Sequence, residues 1–343
     1  MWDYLKTTKK PIVLYGMGNA AKHILDELRI RNIPVAGIFA SDGFVRGHSF
    51  EGFPVSSYSE AKERFGDMVV LLCFGSHLDD VLLNIQRISK EQELYAPDLP
   101  VVGEGLFTSA YAKEHEEDLN WLRSVLADDT SREVLDKLIE YRITGKIEYL
   151  FDIVSSDEEN YKLLNLNDNE SYLDLGAYTG DTIKEFLELT GGYKSIVAVE
   201  PEERNFRKLK ENTTALENIT LINAAISSHD GTLMFTHGIG RGGSIGKGKT
   251  REIPCVFVDG ILSSSNFEVS YIKMDLEGEE IEALKGAEKT IATKKPKLLL
   301  AAYHRIDDYW EIPKLILKYN PDYKIYLRKS KGLPAFEVNY YCV

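Results

Sequence analysis

Cysteine is scarce: only Cys73, Cys255 and Cys342 occur in 343 residues. So few, so widely spaced and odd in number, they exclude a disulfide framework and give no zinc-site spacing. No apolar run approaches the length of a membrane span, and the opening MWDYLKTTKK lacks the apolar core of a secretion signal. A reducing cytoplasm is therefore the expected location. Positive charge is also short, with 41 Lys and Arg against 54 Asp and Glu, a formal net charge of -13. A nucleic-acid coat needs clustered cations, so no nucleic-acid partner is expected. A locally basic pocket remains open. What is present, 43% hydrophobic and 28% charged residues, suits a soluble chain long enough for two cores.

Two segments share one pattern of apolar strand, glycine turn, amphipathic helix and second strand. The first is PIVLYGMGNAAKHILDELRIRNIPVAGIFASD, residues 11 to 42, in which Ile24, Leu25 and Leu28 recur at helical spacing and Ile33 to Phe39 reads as the next strand. A third strand, MVVLLCFGS, follows at 68 to 76, and this unit ends near residue 105. Residues 106 to 165 read as bridging helices. Thr130 with Glu133, and Ser156 with Glu159, have capping-box spacing. From 166 to 343 the grammar restarts, with strands at SYLDLGA, SIVAVEP, ITLINAAIS, SYIKMDLE and KLLLAAYH, helices at 181 to 190, 202 to 215 and 279 to 292, and closing strands YKIYLRK and EVNYYCV. Strands alternating with helices predict parallel sheets, and two adjacent closing strands predict that the second sheet is mixed.

The turn after SYLDLGA runs Gly176, Ala177, Tyr178, Thr179, Gly180. A dinucleotide fingerprint places glycine where the pyrophosphate approaches, and Tyr178 stands there instead. No Gly-Lys-Ser/Thr ending is present, which excludes a nucleoside-triphosphate loop. A cofactor with a nucleoside and no phosphate fits better. Asp174 at the strand end would pair with a cation, and Glu200 at the end of VAVEP holds the position from which an acid grips ribose hydroxyls. S-adenosylmethionine, with its ammonium, ribose and adenine, matches both. Read alone, the turn is also compatible with a tight strand-helix connection.

LDLGAYTGDT, VAVEPEERNFRKLKEN, INAAISSHDGTLMF and above all YIKMDLEGEEIEALKGAE resemble the FkbM family of class I methyltransferases over about residues 130 to 343. The resemblance implies a seven-stranded methyltransferase fold with S-adenosylmethionine as cofactor. It carries the cofactor assignment onto Asp174, Gly176, Ala177, Tyr178, Gly180, Asp181, Thr182 and Glu200, and onto Asn223 and Ala224 beside the adenine. The fold class expected is thus α/β: two Rossmann-like units, a small N-terminal parallel sheet and a seven-stranded C-terminal unit, joined by helices.

On the acceptor side, Lys273, Asp275 and Glu277 alternate with Ile272, Met274 and Leu276 and so would share one side of a strand, before Gly278 permits a sharp exit. An ion pair holding the loop is the plainer explanation for Lys273. KLLLAAYH delivers His304 at the next strand end, a segment the resemblance includes. Methyl transfer to a hydroxyl needs a general base, for which His304 is the candidate and Asp275 the competitor, Lys273 completing the catalytic set and Glu277 facing substrate. The Asn/Asp-Pro-Pro-Tyr segment of nucleobase amine methyltransferases is absent here. Asp275 and Glu277 are too common a pair to assign a metal, and none is assigned. GIGRGGSIGKGKTR, residues 238 to 251, reads either as a surface loop or as a lid whose Arg241, Lys247, Lys249 and Arg251 meet an anionic acceptor group. The resemblance supplies the acceptor class: a hydroxyl on a sugar, glycan precursor or other natural product.

In the first unit Gly16, Gly18 and Ala21 give G-x-G-x-x-A, with Asp42 where a ribose-binding acid could sit. VAGIFASDGFVRGHSFEGFPV also resembles the nucleotide-sugar-binding domain of sugar acyltransferases, through Gly47, Gly52, Pro54 and Val55. Three readings stay open for this unit: a nucleotide or sugar-nucleotide site, a working NAD site, or a degenerate fold used for dimerisation or for packing on the second unit. For the whole chain, a pyridine-nucleotide enzyme and a non-catalytic binding protein are the alternatives to a methyltransferase.

Overall fold

A computed structural model of the chain describes residues 1–41, 45, 47, 49–236 and 250–343. Continuous apolar stretches build the centre of the first sheet, in which β1 (Ile12–Tyr15), β2 (Gly37–Phe39), β3 (Ser49–Phe50), β4 (Phe53–Ser56), β5 (Val69–Leu72) and β6 (Glu93–Tyr95) lie in the order β3-β4-β2-β1-β5-β6. All pairs are parallel except the β3–β4 hairpin. β1 and β5 are wholly buried, which is what an apolar run without alternation demands of a sheet covered on both faces. The helix Asn19–Ile30 lays Ala21, Ile24, Leu25 and Leu28 on one face of the sheet. The stretch Ile33–Ala36, expected in β2, runs into the strand as irregular chain.

The second sheet is built from β7 (Ser171–Leu175), β8 (Ser195–Val199), β9 (Ile219–Ile222), β13 (Tyr271–Met274), β14 (Lys297–Ala301), β15 (Ile325–Lys329) and β16 (Val338–Cys342), with β10 (Ala225–Ile226), β11 (Gly231–Thr236) and β12 (Thr250–Val256) forming a separate three-stranded sheet. Its order, β15-β16-β14-β13-β7-β8-β9, is parallel except for β16, which runs against both neighbours. The chain leaves β7 toward β8 and β9 and later returns on its other side with β13. The strand order therefore reverses between β7 and β13, where open α/β sheets place their ligands.

Local signals decide most element ends, and long-range contacts decide the rest. The helix Asp157–Lys162 carries the full Ser156–Glu159 capping box. The helix Asp129–Thr144 is capped by Asp128, whose carboxylate accepts from the Ser131 amide, and not by Thr130 with Glu133. Asp128 is recruited because Arg328 of β15 donates to the same carboxylate. The expected helix 279 to 292 is two, Glu280–Lys285 and Glu288–Lys294, because Gly286 packs so closely on the Ser227 carbonyl that a side chain there would overlap it.

The two sheets share one core. A buried cluster runs from Val13, Tyr15 and Phe39 through Leu135, Leu138 and Tyr141 to Leu298, Leu300 and Leu327. The loop after β5 exchanges two backbone hydrogen bonds between Ser76 and Leu333, and Gly75 lies against the Phe336 ring. Farther along, the Val102 amide donates to the His304 carbonyl at 3.0 Å, and Val102 sits on Gly278. Arg142 donates to Asp98 and to the Ile306 carbonyl. The first unit thus reaches the carboxyl ends of β13 and β14.

Candidate active site

β7 and β13 are hydrogen-bonded neighbours with Asp174 opposite Lys273, so the two charged side chains emerge on the same side of the sheet. Asp174 is wholly buried. It accepts from Thr182 at 2.6 Å on Oδ2, while Oδ1, without a hydrogen bond, faces Lys273 Nζ at 4.0 Å. Burial pushes the Asp174 carboxyl up, against the pull of Lys273. Burial likewise opposes charge on Lys273, but Asp174, Asp275 and Asp181 outweigh it and hold its pKa above the ordinary value. The cation that Asp174 meets thus comes from the chain itself, and through Thr182 and Lys273 it anchors the turn from behind.

The turn itself is left-handed at Gly176 (φ 83°), Tyr178 (φ 48°) and Gly180 (φ 88°). A side chain at Gly176 would overlap the Asp275 carbonyl oxygen, so glycine is required where the ends of β7 and β13 meet. This folding points the Tyr178 amide at Glu200 Oε2, 2.9 Å away, while Glu200 Oε1 accepts from the Glu202 amide at 2.9 Å. The Tyr178 ring is left exposed. Burial pushes Glu200 up to about 7, although these backbone donors and Asn205 favour its charged form. Asn223 donates to the Glu200 and Pro201 carbonyls and so ties the β9 exit to the β8 exit, with Ala224 buried behind it. Asp181 and Thr182 open the next helix.

β13 ends at Met274, so the expected strand alternation does not extend to Asp275 and Glu277. Both lie on the following turn, Glu277 with a positive φ of 52°. They come together with His304 all the same. The imidazole is wholly buried, its Nε2 3.5 Å from Asp275 Oδ1 and 3.8 Å from Glu277 Oε2, its Nδ1 2.9 Å from Glu280 Oε1. Burial opposes its charge, but Glu280, then Asp275 and Glu277, carry its pKa up to about 9. Behind it, burial and Glu280 push Asp308 up to about 7.

Several residues here escaped the sequence reading. Glu280 is fully buried and accepts from the Leu276 amide at 2.8 Å. It shares a helix face with the buried Ala283 and Leu284, so an acid on an apolar i, i+3, i+4 stripe was the available signal. Val102, Tyr303 and Phe336 wall the same region, the last two with ring centroids 5.9 Å apart, and no local pattern marks them. Arg251 is a residue of β12 paired with Glu203, while Arg241, Lys247 and Lys249 lie outside the described residues.

In the first unit Gly16 (φ 114°) is needed because the Phe74 ring fills the space a side chain would take, whereas Gly18 (φ 126°) faces open space. Asp42 lies outside the described residues. A cleft of about 500 Å³ opens over β1 and β2 between the helices Tyr58–Phe65 and Asp79–Glu91. Its polar groups satisfy one another: Tyr15 with Ser41 and Asn84, and Glu91 with Tyr58, Lys62 and Arg87. No helix among the described residues is long and apolar enough to cross a membrane.

For S-adenosylmethionine the fit is good on two counts. The buried Glu200 carboxylate has acceptor capacity beyond its three donors, suited to a vicinal diol, and the turn above it has a left-handed Tyr178 where a pyrophosphate would need glycine. Comparisons agree. Residues 174–324 match the methyltransferase FkbM domain. The crystal structure of methyltransferase FkbM from Methylobacillus flagellatus KT superposes with a TM-score of 0.76 at 22% identity, covering 97% of this chain and 90% of that one. Precorrin-6y C5,15-methyltransferase from Geobacter metallireducens (12% identity, 53% and 82% covered) and Aeropyrum pernix fibrillarin with natively bound S-adenosyl-L-methionine (14%, 55% and 74%) each overlap with a TM-score of 0.35. No curated protein matches the chain. Residues 174–324 thus carry the match to a methyltransferase FkbM domain, within a chain that has the fold of a methyltransferase FkbM structure.

Proposed function

We propose that the protein is an O-methyltransferase acting on a hydroxyl of a small molecule, a sugar or glycan precursor foremost, with donor and acceptor meeting between the ends of β7 and β13. The observation that carries this reading is the contact of the Gly176 turn with the Asp275 backbone, which sets the nucleoside-gripping turn directly against the His304 cluster. When bound, S-adenosylmethionine supplies a methyl on a sulfonium, which an acceptor oxygen attacks while its proton leaves and the S–C pair returns to sulfur. Glu200 holds the ribose hydroxyls, the Ala177–Tyr178 backbone seats the nucleoside, and Asn223 fixes the adenine side of the cleft. Lys273, anchored on Asp174, keeps the floor of the crevice rigid. His304 receives the hydroxyl proton in its neutral form, with Asp275 beside it to hold the resulting imidazolium, so the step gains as pH rises toward about 9, and Glu277 orients the acceptor. Most of the acceleration comes from alignment of the two partners. A sugar nucleotide is the acceptor form that would give the first unit a ligand of its own.

Calorimetric titration with S-adenosylhomocysteine tests the cofactor side. Glu200→Ala should weaken binding by about tenfold or more, since charge-assisted hydrogen bonds to the ribose are lost. The pH dependence follows from the raised Glu200. Ribose hydroxyls donate to the carboxylate, so binding favours its ionised form and tightens as pH rises through about 7. One pH unit below that midpoint the affinity should fall by roughly tenfold, and Glu200→Gln should abolish the dependence. Tight NADH binding without any S-adenosylhomocysteine heat would overturn the reading.

A further inference from the structure

We propose that Asp275, Glu280 and His304 form a binding site for one divalent cation of the Mn²⁺ or Zn²⁺ kind, placed to polarise the acceptor hydroxyl. The proposal rests on the methyltransferase reading for its chemistry, but its evidence is separate. One oxygen or nitrogen from each of the three side chains lies within 4.8 Å of the others. Opposed ligands of a single cation stand about 4.2–4.8 Å apart at bond lengths of roughly 2.1–2.4 Å, so the set closes around one ion.

The contacts around the imidazole are poor hydrogen bonds. His304 Nε2 is 3.5 Å from Asp275 Oδ1, too long for a hydrogen bond, and Nδ1, although 2.9 Å from Glu280 Oε1, is out of line for one. One cation takes one imidazole nitrogen, and the 3.5 Å between Nε2 and Asp275 Oδ1 matches the spacing of neighbouring ligands, about 3.0–3.5 Å. Buried polar atoms are normally satisfied, yet both imidazole nitrogens, Asp275 Oδ1 and Glu280 Oε2 have no hydrogen-bond partner.

Charge points the same way. Asp275, Glu277, Glu280 and Asp308 crowd one imidazole, with Glu280 and Asp308 wholly buried. Nearby cations are committed elsewhere: Arg305 to the Gly278 carbonyl and Glu279, Lys273 to Asp174. Two of the four carboxylates are buried, and the imidazole alone offers at most one positive charge against them, so a further cation would stabilise the cluster. Mixed imidazole and carboxylate ligands select Mn²⁺ or Zn²⁺ over an all-oxygen Ca²⁺ site. Glu277, strained at φ 52° and 3.8 Å from Nε2, stands where it can add a fourth oxygen.

Chelator-stripped full-length protein titrated with Mn²⁺, followed by electron paramagnetic resonance and calorimetry, tests the site without any need for an acceptor. One Mn²⁺ should bind per chain. Asp275→Asn, at a half-buried position that tolerates the change, should weaken it by about tenfold or more, and His304→Gln likewise. Circular dichroism and S-adenosylhomocysteine binding, measured on the same samples, report folding and the cofactor side. No Mn²⁺ or Zn²⁺ binding by a protein that still binds S-adenosylhomocysteine overturns the cation site alone. Binding that both variants leave unchanged makes the ion adventitious and overturns it equally. Loss of S-adenosylhomocysteine binding in the wild-type protein would instead overturn the methyltransferase reading.

Discussion

Gly176→Ala should cost about 2–4 kcal/mol of stability and weaken S-adenosylhomocysteine by at least about tenfold. Two separate penalties add. At φ 83° an alanine sits in the left-handed region, and its methyl overlaps the carbonyl oxygen of Asp275. That oxygen is backbone and cannot swing aside, because the Asp275 amide donates to the Leu175 carbonyl at 3.2 Å and holds the ends of β7 and β13 together. Relief must come from parting the two strand ends, which moves the Tyr178 amide off Glu200. Gly191→Ala is the control: its φ is 70° and the space around it is open, so it should cost only about 1 kcal/mol and leave binding intact. Urea unfolding and calorimetry on both variants decide the matter. Equal midpoints and equal affinities would mean that the turn is not held as described.

Much of this architecture was legible because each strand is announced locally. Short stretches rich in apolar and aromatic residues, bounded by glycine or charge, mark all seven strands of the second sheet, and Asp174, Glu200, Lys273 and His304 each stand at or near the carboxyl end of one. Parallel strands present those ends on a single edge, so the residues converge without any of them signalling the others. Pairing information is not local, and there the reading ran out. The expected single strand ITLINAAIS is two, because the chain breaks at Asn223 and Ala224 and β10 leaves the β8–β9 sheet to pair with β12. The Asp128 cap outweighs Thr130 because of Arg328, 200 residues away. Val102 carries no chemistry of its own and matters only because Gly278 leaves room for it. Glu280 was readable in principle from its place on an apolar stripe.

The same helical logic exposes Arg142, an arginine on the stripe of Ser131, Val134, Leu135, Leu138 and Tyr141. Its side chain is 6% exposed. Its Nε donates to Asp98 at 2.7 Å and Nη1 to the Ile306 carbonyl at 3.1 Å, and the guanidinium lies over Phe107 and Tyr309 at 4.3 and 4.8 Å. Arg142→Ala leaves a carboxylate and a carbonyl unpaired in a dry setting and removes two ring contacts. A loss of about 3–5 kcal/mol is expected. Lysine should recover little of it, because one ammonium cannot reach both acceptors and stack between the rings. In the double variant with Asp98→Ala the losses should fall well short of additive, the sign of a single coupled contact. The consequence for function is local. Asp98 and Phe107 bracket the loop that carries Val102 to the His304 carbonyl, so Arg142→Ala should speed hydrogen exchange at the Val102 amide by about tenfold or more while the cofactor turn keeps its S-adenosylhomocysteine affinity. An unchanged exchange rate at Val102 would show that the loop is held without Arg142. Val102 would then be kept against the His304 carbonyl by some other contact.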